Sequence, residues 1–379
     1  MDQGLKIITA SELPSLRRDA VDAQTLATAA AIVADVEKRG KSAMLEYAER
    51  FGDWHRGDPF IYDASALKKA LEGLEPSKRE LLVRTADRIR KFAEFQKASL
   101  SEKTTTIEGG QAGHLVTPFD RAACYAPGGR YPLPSSVLMT VVTAKAAGVK
   151  TVWVASPKPT VETLAAAGAA GADFLLAIGG AQAVAALAYG AGDVPACDAI
   201  VGPGNRFVTA AKKLVAGRVA IDMLAGPSEL VVVADGNAPA DWVAADLLAQ
   251  AEHDPDALPV LVALDQGIID RVNLEIEKQL KTLPTAEIAR QSLQNGFAVL
   301  VGSISEAAAV SDRIAPEHLE IMTESPMEDA KAFNHFGALF LGAASAEVLG
   351  DYGAGPNHVL PTGGTGRFVG GLSVFHFLR

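Results

Sequence analysis

The sequence predicts an α/β protein: two incomplete Rossmann-like domains with parallel-rich sheets, preceded by a helical N-terminal segment. Three observations predict it. Beyond Arg121, short apolar runs alternate with stretches of helical spacing, the rhythm of strand–helix–strand units joined by right-handed crossovers. Glycines gather where those strands hand over to helices. Ahead of Arg121 the apolar residues recur three and four apart, as they do on amphipathic helices.

Residues 20–47 and 77–98 show that spacing with charges between, and read as helices. Residues 104–116 change to short alternating runs with glycines, as in a hairpin. Strands at 122–126, 151–155, 174–178 and 199–201 then alternate with helices at 135–147, 161–169, 181–189 and 205–216. The helices are rich in alanine and poor in charge, which suits close packing on a sheet. After a strand at 230–234 the rhythm repeats: helix 241–251, strand 260–263, helix 270–280, and further strands at 297–301 and 339–341. Residues 350–371 are rich in Gly, Pro, Asn and Thr. That is a loop with backbone freedom, where site residues often lie. Residues 372–378 read as an apolar helix with no capping Gly or Asn after it.

Bulk properties exclude several classes of function. The formal net charge is −10 and no long Lys or Arg cluster stands out, so neither nucleic acid nor an anionic membrane is expected as partner. Gly, Pro or charge breaks every apolar stretch before the ~20 residues of a membrane span. The N-terminal Met1-Asp2-Gln3-Gly4-Leu5-Lys6 lacks the plan of a secretory signal. The two cysteines, Cys124 and Cys197, sit in apolar runs that read as strands. They are expected to be buried, reduced thiols of a cytoplasmic protein.

The usual nucleotide signatures fail. Gly202-Pro203-Gly204-Asn205 opens like Gly-x-Gly-x-x-Gly, but Phe207 takes the third glycine's place. Gly40-Lys41-Ser42 ends like a P-loop, with Asp35 where the first glycine belongs. Three glycine turns still follow predicted strands: Pro127-Gly128-Gly129, Gly179-Gly180 and Gly202-Pro203-Gly204. Each serves tight turn geometry or, as a set at the carboxyl ends of parallel strands, a cofactor crevice. Gln250 and His253 stand three apart on one helical face. They are zinc ligands, the amide being an unusual one, or the solvated end of a helix. Glu317-His318, after Pro316, is a candidate acid–base pair or a solvated loop pair. Asp351 and His358 lie in the glycine-rich loop and are plausible metal or substrate ligands. His55, His114, His335 and His376 have no such company and read as surface or packing residues.

These pieces occur in one known order. Tyr125-Ala126-Pro127-Gly128-Gly129, Ile178-Gly179-Gly180-Ala181-Gln182, and Val201-Gly202-Pro203-Gly204-Asn205-Arg206-Phe207 come first. Gly226-Pro227-Ser228-Glu229, Gln250-Ala251-Glu252-His253, Pro316-Glu317-His318 and the loop from Asp351 to Thr362 follow. The ordered set resembles the histidinol dehydrogenase family over nearly the whole chain. The resemblance implies zinc-dependent, NAD-linked oxidation of L-histidinol to L-histidine through a bound aldehyde. It implies that Tyr125, Gln182 and Asn205 contact NAD, and that Gln250, His253 and Asp351 bind zinc. Ser228, Gln250, His253, His318, Asp351 and His358 would bind substrate. His318 would act as general base and Glu317 would activate water. It further implies a homodimer acting on a small amino alcohol.

We expect a larger α/β domain of residues 1–124 and 229–379 carrying the zinc and catalytic residues, with an inserted NAD-binding domain at 125–228. The family usually continues some way past the position of Arg379, with a further zinc-ligating histidine and a substrate-touching glutamate given to the partner subunit. The uncapped apolar terminus is therefore read as a truncation. Two alternatives follow: oxidation of another small polar alcohol, or an inactive homologue that only binds ligand.

Overall fold

The computed structural model describes residues 4–13, 20–128, 133–351 and 353–379. Met1 to Gln3, Gly129 of the first glycine turn, and Tyr352 lie outside the described residues.

In chain order, β1 (Lys6–Ile8) comes first. α1 (Ala23–Arg39) opens on Asp22, whose carboxylate accepts the Thr25 N–H and satisfies an orphan donor of the first turn. The single helix expected over 20–47 is two, because Gly40 at φ 57° ends α1 and starts α2 (Lys41–Arg50). Only glycine adopts that backbone without a Cβ penalty. β2 (Ile61–Asp63), α3 (Ala64–Glu72) and α4 (Pro76–Lys97) follow, then the hairpin β3 (Lys103–Ile107) and β4 (Gly110–His114).

The predicted alternation then appears within a residue or two of its expected bounds. It runs β5 (Arg121–Tyr125), α5 (Pro134–Ala147), β6 (Thr151–Ala155), α6 (Val161–Ala170), β7 (Phe174–Leu176), α7 (Gly180–Tyr189), β8 (Ala199–Val201), α8 (Arg206–Val215) and a short β9 (Ala220–Ile221). The repeat follows as β10 (Glu229–Ala234), α9 (Ala240–Ala251), β11 (Leu258–Ala263), α10 (Gln266–Gln279), α11 (Ala286–Leu293), β12 (Phe297–Leu300), α12 (Ile304–Ile314), β13 (His318–Met322), α13 (Pro326–Asp329) and β14 (Ala338–Leu341).

The chain forms two compact units. Unit one comprises Met1–Asp19, Ala225–Leu349 and Leu360–Gly371; unit two comprises Ala20–Leu224, Gly350–Val359 and Leu372–Arg379. Unit one is built on a sheet of order β1-β12-β11-β10-β13-β14, parallel throughout. β10 and β11 are buried at every residue, as expected for parallel strands covered on both faces. Unit two has the order β2-β7-β6-β5-β8-β9, parallel save for β2 against β7. The α/β, parallel-rich expectation holds for both sheets.

The domain boundaries differ from those expected. Residues 20–124 pack with the 125–224 segment, not with the later sheet. The reason is tertiary pairing. Ala29, Ile32, Val33 and Val36 of α1 share one core with Val184 and Leu187 of α7 and Val208 of α8. β2 adds itself antiparallel to β7. The expected apolar helix at 372–378 is only a 3₁₀ turn, Val374–Phe377, where Ser373 and His376 cap one another. Phe377 is wholly buried, and Thr117 and Arg379 exchange two backbone hydrogen bonds of 2.9 Å.

Cys124 lies in β5, while Cys197 lies in the segment before β8 and not in a strand. Both are free and buried, and burial pushes each thiol up to about 12, which leaves it unreactive near neutrality. Among the described residues no helix is long and apolar enough to cross a membrane.

Candidate functional site

Unit two holds a cavity of about 380 Å³ at the carboxyl ends of its strands, lined by Phe51, Asp53, Tyr125, Gln182, Asn205 and Phe207, among others. The three residues expected at the cofactor therefore meet in one place. Tyr125 ends β5, and its hydroxyl accepts the Gly180 N–H at 3.0 Å. Burial pushes the phenol up to about 12, so it stays neutral. Gln182 lies in the first turn of α7, and its Nε2 donates to Asp53 Oδ2 at 3.2 Å. Its Oε1 is buried with no hydrogen-bond partner. Asn205 caps α8, its Oδ1 accepting from Phe207 at 3.0 Å and Val208 at 3.2 Å.

The third glycine turn is held from beneath. A Cβ on Gly202 would stand 2.2 Å from the Tyr125 carbonyl oxygen, so only glycine lets β8 pass there. Asp222 accepts the Gly202 N–H at 2.7 Å, Lys212 donates to the Gly202 carbonyl at 2.9 Å, and the two side chains form a buried ion pair.

Unit one holds the candidate acid–base pair, Glu317 and His318. Both side chains are buried, not solvated. Parallel pairing puts Leu230 of β10 opposite His318 of β13, which brings the Glu229 peptide groups beside the pair. Glu317 Oε2 accepts the Glu229 N–H at 3.1 Å, and His318 Nδ1 bonds the Glu229 carbonyl at 3.1 Å. A carbonyl only accepts, so Nδ1 carries a proton, and Nε2 is the nitrogen left to exchange one, facing Glu347. Glu317 Oε2 and His318 Nδ1 are 3.9 Å apart.

Burial raises the Glu317 carboxyl well above its ordinary range. The Glu229 N–H and the Ser228 hydroxyl oppose the rise, while the charges of Glu229 and Glu347 add to it. Glu347, itself buried, places Oε1 3.3 Å from His318 Nε2. Two residues past His318, Glu320 is buried beside Asp246 of α9. Burial raises both carboxyls, Glu320 further, helped by the Asp246 charge. Glu229 stands in the Gly226-Pro227-Ser228-Glu229 segment with no role expected of it, and Glu347 and Asp53 lie in stretches without a motif.

The expected zinc ligands divide between the units. Gln250, in the last turn of α9, is wholly buried and neither its Oε1 nor its Nε2 has a partner. His253 lies beyond the helix end and is exposed, so the shared helical face does not extend to it. In unit two, Asp351 Oδ1 and His358 Nδ1 are 3.2 Å apart. Among the described residues no group of three or more His, Cys, Asp and Glu gathers as a metal site. An amide oxygen, an imidazole and a carboxylate are nonetheless donors that zinc accepts. The orphaned Gln250 amide fits that use, since buried polar groups are otherwise paired.

The profile described as histidinol dehydrogenase matches residues 16–379. The histidinol dehydrogenase of Bordetella parapertussis is 46% identical over 363 residues, covering 93% of this chain and 81% of that protein. That of Thermus thermophilus is 50% identical over 316 residues, 83% of this chain and 76% of the relative. A crystal structure of histidinol dehydrogenase from Elizabethkingia anophelis superposes with a TM-score of 0.91 at 31% identity, covering 99% of this chain and 89% of that one.

Proposed function

The chain belongs to the histidinol dehydrogenase family, and from that premise we propose that it oxidises L-histidinol to L-histidine in a zinc-dependent, NAD-linked reaction through a bound aldehyde. The observation that carries the proposal is the grip of one residue's backbone on both side chains, the Glu229 N–H on Glu317 and the Glu229 carbonyl on His318. It fixes the imidazole so that Nε2 takes the hydroxyl proton. It also sets beside it a buried carboxyl whose raised pKa suits proton transfer from water. Glu347 lies against Nε2 and can share the proton that His318 gains.

Gln250, His253 and Asp351 would hold zinc, and Ser228 and His358 would read the substrate with them and His318. Zinc bound there would chiefly orient the substrate's nitrogens, the templating role of a metal. Tyr125, Gln182 and Asn205 would contact NAD. Free, buried thiols suit residence in the cytoplasm, and the family resemblance supports a homodimer.

Purified protein given L-histidinol and excess NAD should form two NADH per histidinol consumed, at a rate in proportion to bound zinc. NADH formed only from other small polar alcohols would move the substrate. No NADH from any amino alcohol at full zinc loading would leave a ligand-binding homologue.

A further inference from the structure

In a Rossmann enzyme the start of a helix after a glycine turn presents bare N–H donors, and a phosphate sits on them. Here that place is already filled. Asp53 Oδ2 accepts the Gly179 N–H at 3.2 Å and the Gln182 Nε2 at 3.2 Å. The next N–H, that of Gly180, is spent on the Tyr125 hydroxyl at 3.0 Å. The start of α7 therefore offers no free donor at these two peptides.

What it offers is acceptors. Asp53 takes the amide hydrogens of Gln182, so the Gln182 Oε1 faces away as an acceptor, and it is buried without a partner. Asp53 Oδ2 accepts both of those bonds, which leaves Oδ1 for a ligand. Both residues line the same cavity, as does Lys158, whose charge acts on the Asp53 carboxylate. Phe51 and Phe207 give it apolar, flat surfaces on which a base can lie.

We propose that Asp53 is the cofactor-selecting residue: with Gln182 it receives the ribose hydroxyls of the adenosine half of NAD and repels the extra phosphate of NADP. The inference rests on the reading that this cavity takes NAD. The adenosine half is indicated because the lining holds acceptors and aromatic rings but neither Glu317 nor His318. A cavity of about 380 Å³ also lies at the small end of ligand pockets, suited to part of a dinucleotide. A carboxylate on a ribose diol is strong because the acceptor is charged, and the same charge opposes a 2′-phosphate that Lys158 of the same lining would otherwise attract, so removing it leaves the lysine unopposed.

The test is binding, read by the fluorescence of NADH and of NADPH titrated onto the zinc-loaded protein without substrate. The wild type should prefer NADH. Asp53→Asn removes the charge and exchanges one acceptor for a donor. It should weaken NADH about tenfold or more and tighten NADPH, so that the preference narrows or reverses. Asp53→Ser makes the same removal of charge with a smaller side chain and should narrow the preference too, with melting temperature as the check on folding. An unchanged NADH-to-NADPH ratio in both folded variants overturns the role of Asp53 and leaves the NAD reading standing. A wild type that binds neither nucleotide overturns that reading and this inference together.

Discussion

Unit two buries one charged pair, Lys212 with Asp222, and each partner also holds the backbone of Gly202. Unit one buries Asp246, Glu229, Glu317, Glu320 and Glu347 around His318, with no Lys or Arg among its described buried side chains. The matched pair needs nothing further and serves to set a turn. Acids in a low-dielectric interior are held by hydrogen bonds, as Glu229 is by the Gly363 N–H and Glu317 by the Glu229 N–H, or pushed towards the protonated form, as burial pushes Glu317, Glu320 and Asp246. The two sheets are built alike, so fold does not distinguish them; polar balance does. It leaves unit two with a paired charge beneath a turn and unit one with several buried acids beside an imidazole.

Replacing Gln250 breaks the contrast most sharply. The amide is wholly buried and unpartnered, so Gln250→Leu should raise the stability of the metal-free protein by about 1–3 kcal/mol while zinc binding falls. Denaturant unfolding with and without chelator reads the first effect, and metal counting the second. A metal-free variant less stable than the wild type would mean that the amide is satisfied in the fold.

The buried acids of unit one give a smaller effect with a definite sign. Glu320 has its pKa raised by burial beside Asp246, so the folded chain keeps a proton that the unfolded chain has lost. That stability is fully present below the ordinary carboxylate value. It is lost as pH rises towards the raised one, at up to about 1.4 kcal/mol per pH unit. Stability should therefore decline between neutral and alkaline pH, and Glu320→Gln should flatten the decline. Equal slopes in wild type and variant, from denaturant melts at stepped pH, would place the titration elsewhere.

The alternation from β5 to α8 was legible because local spacing and turn glycines agree there. Three-residue strands such as β1 and β2 carry no period of their own; they exist because β12 and β7 offer an edge. The allegiance of α1 was hidden for the same reason: an apolar face does not say which sheet it will meet. In the candidate site, Glu317-His318 stands out in the sequence by residue type and order. Asp53 and Glu347 do not, and Glu229 is visible only as part of a longer segment, since a lone acid in sequence looks like a solvated one until burial surrounds it.

The Glu229 carbonyl aims His318, which we propose is the base. His318→Asn keeps an N–H that can reach the Glu229 carbonyl but removes the lone pair of Nε2. Turnover of L-histidinol, followed as NADH formed, should fall by about 10²–10⁴-fold with the melting temperature unchanged. Turnover equal to the wild type in the folded variant would contradict the account.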